Sequence, residues 1–517
     1  MRLLAVYPQE PELAVFEKMP PLGMLWVAGA LLADGHEVDF LDQQVDSRDP
    51  AEVAGGLRPP LALIGGTSHS RFLSFDLARR IKAASPETLV VYGGPHASFT
   101  AEDTLTHIPE IDIIVHGEGE ETCRELAAWA AARESGGPRT PAEVRGISFR
   151  RTFGETGLPL ADTAGPGEMG ASGVPGGIVR TAARPPIGDL DALGPPARQL
   201  VPLAGYAMRM DYRDLSATSI MTARGCPIAC SFCSASAMFG KSYRRRSPRL
   251  VVDEIEALIA AHGFQGIKIF DSTFTFSRRH VEDFCNELLR RGLRIAWECE
   301  IRVDTVDKPL LALMQQAGCY YVDVGVESAS QRVLDSCIGK RITIAGAEQL
   351  LRWTRELGLL TKAFFTLGHP GETYAEAGET NRFIRRNRRN IRLIAYHAGI
   401  RIYPGTRVET FALENGLMPP GFRWSAPFQN DVNRLLFRPV DSIPVLLQPQ
   451  MGVRELRRLR MSFIAMRVSS PRFVLEKMRA ILRAGTLGNY FRILRRGARR
   501  RDGRRGEVPG GGAAGHA

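Results

Sequence analysis

Three cysteines carry the sharpest chemical signal in this chain. Cys226, Cys230 and Cys233 stand in TARGCPIACSFCSAS with CxxxCxxC spacing, directly after an apolar, strand-like run. Three thiolates closing on one centre leave a cubane iron–sulfur cluster one protein ligand short, so its fourth iron stays open to a small molecule. A zinc knuckle lacking its fourth ligand, or three incidental cysteines, is the competing reading. Cys123, Cys285, Cys299, Cys319 and Cys337 are scattered over helical or strand patterns and read as core residues.

The elements that must position these cysteines form two α/β series. Over residues 1–150, LLAVYP, EVDFLD, LALIGG, LVVYGG and IDIIVHG alternate with helical patterns, as a doubly wound parallel sheet does. Glycines end these strands, where open α/β sheets bind ligands. Residues 151–200 are rich in Gly and Pro and read as a linker. Over 201–430, six strands (ATSIMTA, GIKIFD, RIAWECEI, YYVDVGVE, TKAFFTLG, IAYHAGIRIY) separated by helical stretches predict a partial (β/α)6 barrel, with active residues at the strands' C-terminal ends. Residues 431–517 read as a helical, basic extension with a disordered end.

Composition supports a globular chain. Of 517 residues, 44% are apolar and 24% charged, and about three domains fit that length. The net charge of +11 does not point to nucleic acid, because Met451–Arg505 alone holds 17 Lys and Arg against 3 Asp and Glu. That tail reads as a solvated lid helix with a basic terminus, or as a peripheral membrane contact. The longest uncharged apolar stretch, Met19–Ala33, is shorter than the roughly 18–20 residues of a membrane span. The N-terminus reaches Pro and Glu before any signal-peptide core, so a cytoplasmic chain is expected.

The cysteine motif resembles the radical S-adenosylmethionine (SAM) signature, and the downstream strand ends match that family in order. The resemblance implies a [4Fe–4S] cluster on Cys226, Cys230 and Cys233, with SAM chelating the open iron and an electron donor such as flavodoxin or ferredoxin. It implies Phe232 near the adenine, Asp271 in GIKIFDSTFTF near the SAM amine, and Arg302 in WECEIRVD as partner of the SAM carboxylate. Glu327 and Ser328 would meet the ribose or methionine moiety. GHPGET, with Gly368, Pro370 and Gly371, and Tyr403 in IRIYPGT would line the adenosyl pocket.

The first 150 residues resemble the cobalamin-binding domain that precedes the barrel in one large radical SAM subfamily, so the likeness covers roughly residues 1–430. Gly93 and Gly94 would let the nucleotide tail of cobalamin approach the backbone, with Thr67 and Ser68 contacting it; Glu118, in IDIIVHGEGEETCREL, is a further cofactor-binding candidate. The D-x-H-x-x-G motif that supplies a histidine to cobalt elsewhere is absent from YPQEPELAVFEKMPP, and His69, His96 and His116 read as loop histidines without metal. The resemblance implies a methyltransferase moving a methyl group from SAM through cobalamin to an unactivated carbon of a small-molecule substrate, by way of a 5'-deoxyadenosyl radical. A cobalamin-dependent cyclase or rearranging enzyme, a radical SAM enzyme with a cobalamin-free first domain, and an interaction protein with a basic docking tail are the alternatives.

Overall fold

The computed structural model describes residues 1–9, 18–138, 140–151, 177–428, 432 and 442–468. Residues 10–17 of the loop without the histidine motif, most of the Gly/Pro-rich segment (152–176) and the basic tail from 469 onward lie outside the described residues. The chain divides into Met1–Arg457, which holds both α/β series, and Arg458–Ala517.

The first series builds a seven-stranded sheet from β1 (Arg2–Tyr7), β2 (Glu37–Asp42), β3 (Leu61–Gly65), β4 (Leu89–Gly93), β5 (Ile113–Val115), β6 (Ile147–Arg150) and β7 (Ile178–Arg180), in the order β2-β1-β3-β4-β5-β6-β7. The first five strands run parallel, with the order reversing at β1. Successive side chains leave opposite faces of a strand. Leu3 and Leu63 therefore pack under α1 (Leu22–Ala33), while Leu4 and Ile64 join a second core that also holds Phe75 and Ile81. Helices α2 (Pro50–Leu57), α3 (Arg71–Ala84), α4 (Pro95–Phe99), α5 (Ala101–His107) and α6 (Glu120–Glu134) complete both layers. β6 and β7 add an antiparallel pair that the sequence pattern does not announce. β7 lies inside the stretch read as linker.

The second series gives β8 (Ala217–Ile220), then β9 (Ala223–Arg224) and β10 (Arg244–Arg245), which pair with each other on either side of the cysteine loop and α7 (Ala235–Phe239). α8 (Pro248–His262), β11 (Gly266–Ile269), α9 (Arg278–Arg290), β12 (Ala296–Ile301), α10 (Lys308–Gln316), β13 (Cys319–Glu327), α11 (Ile344–Glu356), β14 (Leu360–Leu367), α12 (Tyr374–Asn387) and β15 (Leu393–Ala398) follow in alternation. The six long strands are all parallel and in chain order, β15-β14-β13-β12-β11-β8, which is the expected six-stranded partial barrel. One face is sealed by aromatic packing. Trp297 meets Phe274 and Phe284, and Phe365 meets Phe383 of α12. α13 (Arg407–Glu414) and α14 (Val453–Val468) end the described chain.

Candidate functional site

The cysteine loop is pinned before and after its thiols. Gly225 sits at φ +88°, and a Cβ there would stand 2.0 Å from the Ser242 carbonyl oxygen, so only glycine fits this approach. The Cys226 amide donates to Gly240, the Ser231 amide to Ile338, and the Val408 amide to Ser231. Arg407 reaches the carbonyls of Ala229 at 2.7 Å and Ile338 at 3.1 Å. All three thiols are partly exposed and free of disulfides. Burial pushes Cys230 up to about 11 and Cys233 upward, and the mutual repulsion of the thiols adds to both, while Lys340 and Arg302 pull Cys230 back.

Asp271 stands at the end of β11, fully inside. Its Oδ1 accepts from the amides of Thr222 at 2.7 Å and Ala223 at 3.0 Å, and its Oδ2 takes the Thr222 hydroxyl. It therefore holds the bend leading into the cysteine loop, and burial raises its pKa to about 6. Arg302 is bonded to Asp304 (Nε–Oδ1 2.7 Å) and to the Lys340 carbonyl. Glu327, strained at φ +68°, accepts from Lys340 Nζ at 3.0 Å and the Thr366 hydroxyl at 3.2 Å. Ser328 is buried, its hydroxyl accepting from the Ser330 amide. Gly368 and His369 donate their amides to Glu372 Oε2, and Gln448 ties down the Gly368, His369 and Gly371 backbone around Pro370. Phe232 lies against the buried His369 ring, 5.6 Å between centroids. Cys230, Arg302, Lys340 and Glu327 thus share one neighbourhood.

A cavity of about 280 Å³ opens at the crest of the first sheet, lined by Gly66, Thr67, Gly94 and Glu118 from the first series and by Met221 and Arg224 from the second. Gly94 has φ +100°, and a Cβ on it would stand 2.6 Å from the Gly66 carbonyl oxygen. Ser68 turns away from this cavity, because its hydroxyl is bonded to His96 Nδ1 at 3.0 Å. Gly93 is not part of the lining. The Tyr403 hydroxyl meets His69 Nε2 at 3.0 Å, and Gly405 backs closely onto Phe99 of α4, while the neighbouring Ile402 packs in one cluster with Phe232 of the cysteine loop. His116 is bonded to the Ser98 carbonyl and the Ser148 hydroxyl.

Glu118 is a brace. Both its oxygens accept from Arg244 Nη1 (2.9 and 2.8 Å), Oε1 also meets Arg224 Nη1 at 3.3 Å, and Oε2 takes the Ile187 amide at 2.7 Å. Arg224 itself is missing from the motif-based reading. It lies two residues before Cys226, is bonded to Glu120 at 2.6 Å, and stacks over Trp26 at 5.0 Å. Its position in TARGC is the one signal that could have marked it.

The Radical SAM superfamily matches residues 220–384, and the B12 binding domain matches residues 13–127. The uncharacterized methyltransferase PH0819 of Pyrococcus horikoshii is 30% identical over 406 residues, covering 77% of this chain and 80% of that protein. The chain belongs to the cobalamin-binding radical SAM family. The anaerobic magnesium-protoporphyrin IX monomethyl ester cyclase of Cereibacter sphaeroides is 31% identical over 394 residues, with 74% of this chain matching 59% of the cyclase. In fold, the chain is similar to the radical SAM methyltransferase TsrM of Kitasatospora setae, solved with cobalamin and a [4Fe–4S] cluster. The TM-score is 0.62 at 21% identity, over 89% of this chain and 84% of that one.

The cofactors of this family are a [4Fe–4S] cluster, SAM and cobalamin, and the residues present fit them. Among the described residues no three His, Cys, Asp or Glu side chains are gathered to hold a single metal ion. A cubane asks for something different, since each of its thiolates binds its own iron. Three free thiols in one loop, with Lys340 and Arg302 close enough to favour the thiolate of Cys230, suit that demand. The glycine backbone at Gly66 and Gly94 leaves the room that a bulky macrocycle's tail requires. Among the described residues no helix is long and apolar enough to cross a membrane.

Proposed function

We propose that this enzyme is a cobalamin-dependent methyltransferase acting on an unactivated carbon of a small-molecule substrate. One observation carries the reading: Arg224 lines the cavity at the first sheet's crest and lies two residues before Cys226, so the two cofactor places share a wall. Relatives named as methyltransferases favour it, among them the hopanoid C-3 methylase of Methylococcus capsulatus and the tryptophan 2-C-methyltransferase of Streptomyces laurentii.

A bound cluster would supply the electron for reductive cleavage of SAM, given a donor of flavodoxin or ferredoxin type, and bound cobalamin would supply the carrier for the methyl group. Cys226, Cys230 and Cys233 would hold the cluster. Lys340 and Arg302 keep positive charge beside the thiolates. Glu327, held by Lys340 and Thr366, offers acceptor oxygens for a ribose or an ammonium group. Asp271 fixes the bend ahead of the loop. The Arg224–Glu118–Arg244 brace ties the first series to the second at the wall of the cavity.

The test is anaerobic reconstitution with iron, sulfide and hydroxocobalamin, followed by iron and corrin quantitation. The family's stoichiometry predicts about four irons and one corrin per chain, with iron lost in the Cys226→Ala, Cys230→Ala, Cys233→Ala triple variant and corrin retained. Turnover of SAM with reductant should give both S-adenosylhomocysteine and 5'-deoxyadenosine. Deoxyadenosine alone would replace methyl transfer by the cyclase reading; iron without corrin would remove cobalamin from the mechanism.

A further inference from the structure

The partial barrel's inner face is unlike a packed barrel core. Trp297, Cys299 and Ile301 of β12 point toward the helices, so Glu298 and Glu300 point the other way. By the same alternation, β14 sends Lys362, Phe364 and Thr366 inward while Phe365 packs on α12. Register then sets Glu300, Asp323 and Lys362 side by side across β12, β13 and β14. Barrel interiors are ordinarily filled with branched apolar side chains. Here the row is charged, and Glu300, Phe270 and His397 remain exposed to solvent.

Among the described residues the inner charges of β11 to β14 are paired with one exception. Lys268 meets Asp211 and Glu298 at 3.3 Å each, Lys362 meets Asp323 at 3.2 Å, and Lys340 meets Glu327 at 3.0 Å. Among the described residues, no hydrogen bond or ion pair reaches Glu300. Its surroundings crowd it: burial by the walls raises its pKa to about 7, Asp323 and Glu327 add to the rise, and Lys362 and Lys340 oppose it without touching it. Cys233 feels its charge, so Glu300 stands within electrostatic reach of the cysteine loop. A solvent-reached, unpaired carboxylate in a walled lumen is an acceptor awaiting a donor.

We propose that Glu300 anchors a cationic nitrogen of the substrate, so that the molecule this enzyme acts on carries a protonated amine or amidine. The inference rests on the reading under Proposed function, in that the barrel lumen receives the substrate. It separates two substrate classes: a wholly aliphatic lipid would leave Glu300, Asp323 and Lys362 facing hydrocarbon, whereas an amine-bearing molecule completes the one missing pair. Phe270 and Phe364 offer apolar surface beside that pair for the rest of the molecule.

The probe is benzylamine, with benzyl alcohol as its neutral counterpart. Their binding to the anaerobically reconstituted enzyme is followed by saturation-transfer NMR, with and without saturating SAM, and iron and corrin are quantified on the same sample. Benzylamine should bind about tenfold more tightly than benzyl alcohol, as a charge-assisted hydrogen bond replaces a neutral one, and should keep that advantage with SAM present. Glu300→Gln should erase the advantage and leave benzyl alcohol unchanged. Lys362→Met, which frees Asp323, should tighten benzylamine. Equal or undetectable binding of the two probes, an amine preference that survives Glu300→Gln, or looser benzylamine in Lys362→Met would overturn the proposal. Displacement of benzylamine by SAM would also overturn it, assigning the carboxylate to SAM's own ammonium or sulfonium. Loss of iron or corrin in that sample reports on the cofactor reading instead.

Discussion

Replacing Arg224 by Met tests whether the wall between the two α/β series is held by charge. The side chain is almost wholly buried and contacts Glu118, Glu120 and the Trp26 ring. After Arg224→Met, Glu118 keeps its two bonds to Arg244, but Glu120 loses the only ion pair that it makes among the described residues. Breaking a buried pair on one side costs about 3–5 kcal/mol, since a carboxylate is left uncompensated. Glu120 opens α6, where the helix dipole returns up to ~1 kcal/mol; loss of the cation–π contact adds ~1 kcal/mol. The expected net destabilisation is about 4 kcal/mol. Equilibrium urea unfolding of the cofactor-free protein under reductant measures it. Arg224→Met with Glu120→Met should recover more than half, because replacing both members of a buried pair by apolar groups is close to neutral. Iron loading should fall in the single variant and return in the double one. A single variant within ~1 kcal/mol of the wild type, or a double variant no better than the single, would refute an electrostatic wall.

Two further outcomes follow from local geometry. Gly94→Ala places a Cβ 2.6 Å from the Gly66 carbonyl oxygen at φ +100°, so it should cost at least ~2 kcal/mol and lower corrin content while iron content holds; normal corrin loading would detach this turn from cobalamin. Glu372 carries a pKa raised to about 7 by burial, so the folded chain binds its proton more tightly than the unfolded chain does. Its contribution to stability is present below about pH 4.5 and is lost as pH rises through about 7, by up to ~3 kcal/mol. Glu372→Gln, whose amide oxygen still accepts from Gly368 and His369, should flatten that decline in urea midpoints taken from pH 5 to 7.5, and an unchanged slope would place the linkage elsewhere.

The strands of the first sheet were legible because a strand buried on both faces is a near-continuous apolar run, as in LALIG of β3, and those of the second through their β-branched and aromatic residues, as in YYVDVGVE of β13. β6 and β7 were not, since ISFR and IVR are too short to show a period and their pairing joins Ser148 to Arg180 across 32 residues of chain. The cysteine loop was legible through spacing alone. Its supports were less so: Glu118 reads like a cofactor contact at a strand end, yet its partners lie 106 and 126 residues away at Arg224 and Arg244. Thr67 and Ser68 are chemically alike in sequence, and only side-chain direction sends one to the cavity and the other to His96. Tyr403 reads as the close of the sixth strand, yet its hydroxyl partner His69 is 334 residues distant.

The same long-range bonds decide how the site is assembled. Ahead of the thiols, Asp271 holds Thr222 and Ala223, and Glu118 and Glu120 hold Arg224; behind the first thiol, Ile338 and Arg407 hold Ser231 and Ala229. Each anchor comes from a different element, so no single helix shift releases the loop. A loop so fixed before any iron arrives loses little conformational freedom on loading, and binding energy is then not spent on ordering. That places the cost of the site in folding, where burial works against the charged forms of Asp271, Glu372 and the arginines Arg198 and Arg224.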